Sequence, residues 1–165
     1  MTHGQTPSDA DWRRALTRFV TVIPHTRELG LEVLEVTPEA TIMCLPWCED
    51  LLGDSARGLV HGGVLTMLLD TVCGSAVLPA LSAPEVCPTL DLRVDHFRPA
   101  VAGRAIFAEA RVVRVTASVV FTEGTLWQAQ GLPLARGIGN FVRLGPRNTP
   151  EGFAEALFLE EGDHA

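Results

Sequence analysis

Residues 62–78, GGVLTMLLDTVCGSAVL, constrain the fold more than any other stretch of the chain. Behind the Gly-Gly pair, Val64, Leu65, Met67, Leu68, Leu69, Val72, Cys73, Ala76, Val77 and Leu78 cover nearly the whole circumference of a helix. A helix that is apolar all round belongs inside a core, because no side of it is suited to water. Pro79 marks its approximate end. The remaining sequence must therefore supply cover on every side. One acid interrupts the helix: Asp70, nine residues after His61.

The cover reads as strands. From residue 89 the apolar period changes to two. TLDLRVDHF places Leu90, Leu92 and Val94 on one face and Asp91, Arg93 and Asp95 on the other. Gly103 precedes RAIFAEARVVRV, SVVFTEGTLWQAQ follows, and the turn Gly131-Leu132-Pro133 leads into LARGIGNFVRL. Short connections predict four strands that are antiparallel neighbours. Upstream, LGLEVLEV (29–36) and ATIMCL, joined at Pro38-Glu39, read as a hairpin. Residues 46–60 carry Pro46, Gly53, Asp54 and Gly58 and read as a loop. Before the hairpin, Ser8 caps an expected helix with Trp12, Leu16, Phe19 and Val20 or Ile23 at helical spacing, ended by Pro24.

The fold class implied is α+β: an antiparallel sheet of about six strands wrapped around one long central helix. A chain of 165 residues suits one domain, 1–165, with an N-terminal helix in 1–23 and an acidic extension over 145–165. RNTPEGFAEALF predicts a short terminal helix, with Thr149 as cap and Pro150 in its first turn.

Charge excludes some functions. Hydrophobic residues are 47% and charged residues 20%, too apolar for a disordered chain. The 13 basic residues are all arginine, against 20 acids, for a net charge of −7. No basic footprint for nucleic acid is present. Five acids (Glu151, Glu155, Glu160, Glu161, Asp163) fall in the last 15 residues, so the first 150 are close to neutral. MTHGQTPSDADWRR lacks a basic-then-apolar signal pattern, and no apolar run reads as a membrane span. Cys44, Cys48, Cys73 and Cys87 lie in or beside apolar segments, and Cys44 and Cys48 have no partnering Cys/His pair for zinc. Free thiols in a reducing cytoplasm are expected, with no metal and no membrane partner.

Four residues could carry chemistry. A helix start behind Gly62 and Gly63 exposes backbone N–H groups at the positive end of the dipole, where they can donate to an oxyanion. The same pair can equally be a tight turn. Asp70 can be a nucleophile or a base for water, or a buried acid that is simply hydrogen-bonded. His61 can take part in chemistry or hold the turn through backbone groups.

IPHTRELGLEV, GLVHGGVLTMLLDTVCGSAV, PTLDLRVDHFRPAVAGR and ARGIGNFVRL together resemble the PaaI-like acyl-CoA thioesterases of the hotdog fold, from about Ile23 to Leu144. The carriers are HGG with an acid nine residues after the His, Gly74 four residues later, and Arg98, Pro99 and Gly103 after the next strand. The resemblance implies hydrolysis of an acyl-CoA thioester with no cofactor. Asp70 would attack or activate water, Gly62 after His61 would donate to the thioester oxygen, and Thr89 would help position the water. Gly63 and Val64 would border the substrate. Acid and oxyanion donor would come from different subunits of a homodimer or dimer of dimers. The chain departs from the family twice. Ser55 stands where an Asn or Gln often assists the carbonyl. Ala117 stands where a basic residue often meets the nucleotide, leaving Arg104 and Arg114 as the nearby cations. A non-catalytic acyl-CoA binder is the alternative. A hydratase is disfavoured because His96 follows the central helix rather than preceding it.

Overall fold

The computed structural model describes residues 6–159. The first helix, α1 (Asp9–Val22), opens with a capping box: Ser8 Oγ accepts from the Asp11 N–H, and Asp11 Oδ2 accepts from the Ser8 N–H at 2.8 Å. Trp12, Ala15, Leu16 and Val20 face the core. Pro24 does more than end this helix. Its fixed φ and missing N–H suit a first helical turn, and it starts a short second helix, α2 (Pro24–Glu28).

Then come β1 (Glu32–Val36) and β2 (Thr41–Leu45), the expected hairpin. Residues 46–60, expected as loop, contain a 3-10 turn (Glu49–Leu51) and a two-stranded ribbon, β3 (Leu52–Asp54) with β4 (Leu59–Val60). The central helix α3 (Gly62–Val77) continues into a 3-10 turn over Leu78–Ala80 that contains Pro79. Four long strands come next: β5 (Thr89–His96), β6 (Ile106–Val115), β7 (Val119–Ala129) and β8 (Leu132–Val142). The β7–β8 connection is the two residues Gln130-Gly131, with Gly131 at φ 77°, so Leu132 and Pro133 already belong to the strand. A last helix, α4 (Phe153–Phe158), packs on α1 through an edge-to-face contact of Trp12 with Phe158, 5.0 Å between ring centres.

Thr149 does not cap α4. The helix starts three residues beyond Pro150, with Gly152 at its cap, and the Thr149 hydroxyl is engaged elsewhere: it donates to Gly145 O and accepts from the Val86 N–H. Residues 160–165, which hold Glu160, Glu161 and Asp163 of the acidic extension, and residues 1–5 of the N-terminal stretch lie outside the described residues.

The six main strands form one antiparallel sheet in the order β1-β2-β6-β7-β8-β5. β6, β7 and β8 are the expected meander. β5 is not the neighbour of β6, however; it pairs with β8 at the far edge, while β2 takes the free side of β6. The reason lies in residues 97–105. Phe97 and Arg98 both donate to Leu134 O, the Val60 N–H donates to Ala100 O, and the Ala102 N–H donates to Gly58 O. The segment is therefore a crossover tied down along its length, not a hairpin turn.

Helix α3 lies across the inner face of the sheet. Leu65, Leu68, Leu69, Val72, Cys73, Ala76 and Val77 are buried there. The fit depends on glycines. Gly124 and Gly137 sit directly opposite each other on β7 and β8, and Leu69 fills the space they leave, within 3.1 Å of where either Cβ would be. The Phe141 ring lies between Gly74 of α3 and Gly139 of β8 in the same way. Cover is incomplete on one side. Gly62, Gly63 and Thr66 are exposed, and Met67, Asp70 and Gly74 half-buried, along one line of the helix. By length and mean hydropathy (1.5 over Gly62–Ala80) the segment meets the measure of a membrane-crossing helix, contrary to expectation; half of it is buried against the protein's own sheet.

Candidate active site

Asp70 sits on the open line of α3, and its orientation depends on its neighbour. Leu69 is locked into the two-glycine hollow of β7 and β8, which turns the next residue toward the edge strand β5. There Asp70 Oδ1 accepts a hydrogen bond from Thr89 Oγ1 at 2.9 Å. Simple alternation along β5 places Thr89 on the same face as Asp91, away from the helix. The pairing runs Thr89↔Phe141 and then Asp91↔Asn140, so Leu90 is an extra residue, a β-bulge. The bulge reverses the phase. Thr89 joins the inner face with buried Phe141, and Leu90 is left 61% exposed.

The start of α3 is built around His61. Its backbone N–H donates to Leu51 O at 2.9 Å, and its Nδ1 accepts from the Gly63 N–H at 3.0 Å. His61 is thus the N-cap of the helix. An accepting Nδ1 puts the ring proton on Nε2. The Val64 N–H is also used, donating to His61 O at 3.0 Å. The Gly62 N–H makes no hydrogen bond among the described residues. Of the glycine-turn donors, it is the one left for a ligand, and a Cβ at Gly62 would meet nothing within 4 Å.

Gly53 supports this turn, a role that does not emerge from the sequence. A Cβ there would lie 2.6 Å from His61 Cα, so the ribbon approaches the turn closely only because residue 53 has no side chain. The glycine itself is visible in the loop sequence, but nothing in a single sequence says which backbone it must pass.

Other expected site residues lie apart. Ser55 is exposed at the tip of the ribbon, two residues beyond Gly53, about 7 Å along the strand from the contact with His61. Its carbonyl accepts from the Gly58 N–H at 3.4 Å. Arg104 is exposed in the crossover just before β6, and its carbonyl accepts from Gln128. Arg114 is near the other end of β6, about 30 Å away along the strand. A second bulge, at Val113, pairs Arg114 with Phe121 and so turns it to the outer face of the sheet, away from α3. One protomer therefore does not bring Arg104 and Arg114 to a common phosphate. The four cysteines are free; Cys44 and Cys73 are buried, and Cys48 and Cys87 half-buried.

Within one protomer, Asp70 and the free Gly62 N–H lie eight residues apart on one helix, about 12 Å. A reacting carbonyl must sit within about 3 Å of both a nucleophile or base and an oxyanion donor. Asp70 and the Gly62 N–H of one chain therefore cannot both reach one carbonyl.

A long helix cradled by a six-stranded antiparallel sheet, with an acid on its open side and a glycine turn at its start, defines a hotdog-type α+β protein. The thioesterase superfamily model matches residues 57–135, from the end of the ribbon through α3 to β8. A Halobacterium salinarum protein named provisionally as an esterase is 34% identical over 122 residues, covering 68% of this chain and 80% of that protein. The chain belongs to the thioesterase superfamily. The Escherichia coli medium/long-chain acyl-CoA thioesterase YigI is 25% identical over 137 residues, covering 75% of this chain and 88% of that protein. Among solved structures, a Pseudomonas aeruginosa protein superposes with a TM-score of 0.73 at 36% identity, covering 81% of this chain and 99% of that one. The Escherichia coli PaaI protein, at 19% identity and a TM-score of 0.71, covering 82% of this chain and 94% of that one, shares the fold.

Proposed function

We propose that the protein hydrolyses acyl-CoA thioesters as a homodimer. The observation that carries this reading is the pairing of Asp70 with Thr89 on the uncovered side of α3, beside the free edge of β5. A carboxylate held by one oxygen and open on the other suits a nucleophile or a base for water. The Gly62 N–H, carrying the positive end of the helix dipole, suits the developing oxyanion. Two copies that pair through the β5 edges would cover the open line of α3, remove an unpaired sheet edge, and let the glycine turn of one face Asp70 of the other. The name of the Escherichia coli relative supports the substrate class.

The test uses thiol release from a panel of acyl-CoA esters. The wild type is expected to release CoA. Asp70→Asn keeps the size and the hydrogen bond to Thr89, so it is expected to fold and bind acyl-CoA while losing roughly 100-fold or more in turnover. Turnover within a few-fold of wild type would mean that Asp70 only holds Thr89. Binding with no thiol release by the wild type would make the protein an acyl-CoA binder.

A further inference from the structure

Glu85 is an acid with no role in the site described, yet it is 3% exposed, more deeply buried than Asp70. Its Oε1 accepts from Arg143 Nε. Arg143 in turn donates from Nη1 to Thr116 O at 2.9 Å, and its N–H donates to Ser118 O at 2.9 Å. One arginine thus ties three pieces of chain: the loop between α3 and β5, the β6–β7 turn, and the residue after β8. The loop is fastened further at its backbone. The Val86 N–H donates to Thr149 Oγ1 (3.1 Å), Val86 O accepts from the Leu144 N–H (3.3 Å), and Pro88 O accepts from the Val142 N–H (2.9 Å). The next residue is Thr89.

Resting on the catalytic reading of Asp70, we infer that Glu85 and Arg143 form a latch of positioning residues, which fixes residues 85–88 so that the Thr89 hydroxyl holds the Asp70 carboxylate in place. Two observations favour positioning over stability. Buried ion pairs seldom outperform apolar packing, because desolvation cancels much of the attraction. Thr89 also needs outside support: it lies at the first residue of an edge strand, immediately before a bulge, where ladder bonds alone define its place poorly. Burial of the segment is also felt at Cys87, whose thiol is pushed up to about 11 by desolvation first and by the Glu85 charge second.

Glu85→Gln keeps volume and one acceptor but removes the charge. Three quantities decide the matter: kcat and KM for thioester hydrolysis, amide hydrogen exchange over residues 85–91, and the same kinetics in a Thr89→Ala background. The expected result is faster exchange over 85–91 and a loss of about tenfold in kcat, with KM within about twofold. In the Thr89→Ala background the same change is expected to cost nothing more, because the latch acts through that hydroxyl. Wild-type exchange and kcat in Glu85→Gln, or a loss that multiplies with Thr89→Ala, would overturn the inference. If Glu85→Gln does not fold, Arg143→Lys, which loses the bond to Thr116 O, is read by the same criteria. A wild type that releases no thiol defeats the catalytic reading alone; the exchange measurement then decides the latch.

Discussion

At the scale of single residues, the chain separates two kinds of buried polar group. Asp70 is half-buried on the uncovered side of α3, with Oδ1 hydrogen-bonded to Thr89. Cys73, one turn on, is fully enclosed between α3 and β7, with its sulfur 3.0 Å from where a Cβ on Gly124 would be. Burial pushes the Cys73 thiol up to about 11, from an ordinary 9.0. This sets the sign of its effect on stability. Between those values the unfolded chain loses the thiol proton while the folded chain keeps it, so stability is complete below pH 9 and falls as pH rises toward 11. The loss at the upper end is on the order of 2 kcal/mol. Melting temperature measured at pH 8 and again near the upper end of that window should show this fall, and Cys73→Ala should lack that part of it. A parallel fall in the variant would assign the effect to other groups.

Secondary-structure elements here are shaped by residues that break their own pattern. Bulges at Leu34, Leu90 and Val113 each push an apolar residue outward and reverse the inward–outward alternation of the strand on either side. That is how Thr89 reaches Asp70 and how Arg114 leaves the α3 side. The start of α3 allows a direct test of its backbone donor. Gly62 occupies the first helical position, where proline is well tolerated, and His61 already has the extended φ of −64° and ψ of 130° that a following proline requires. With open space around its Cβ, Gly62→Pro should fold normally and remove one N–H and little else. Its turnover is expected to drop roughly 100- to 1000-fold, the scale of one oxyanion donor, with a melting temperature near that of wild type. Full activity would place the donor elsewhere. Gly53→Ala provides the contrast. Its Cβ would collide with the His61 backbone, so both turnover and melting temperature should fall together.

For the whole molecule, the separation of Asp70 from the Gly62 N–H along one helix is the governing fact. If sites form across a dimer, each joins Asp70 of one copy to Gly62 of the other. Asp70→Asn and Gly62→Pro are then each inactive alone, but a mixed dimer has one intact site. Unfolding and refolding an equal mixture should restore about one quarter of wild-type activity, because half of randomly assorted dimers are mixed and each has one good site of two. Absence of recovery, with mixed dimers shown by mass, would put both groups in one chain's site and sink the shared arrangement.

Much of this was legible in the sequence. The all-apolar α3, the cap at Ser8, and the period-two strands obey local rules that a short stretch satisfies by itself. The HGG turn and Asp70 could be picked out for the same reason: an acid in an apolar helix stands out wherever the helix goes. Tertiary structure decided the rest. That β5 pairs with β8 rather than β6 depends on hydrogen bonds between the crossover, the ribbon and Leu134, distant in sequence. The face of Thr89 depends on one extra residue in one strand relative to another, which neither strand reveals alone. The parts played by Gly53, Gly124 and Gly137 emerge only once the atoms that need their missing side chains are in place. Even the open side of α3 was invisible, since composition makes every face of the helix fit for burial, and only the reach of a single sheet determines which face one copy leaves uncovered.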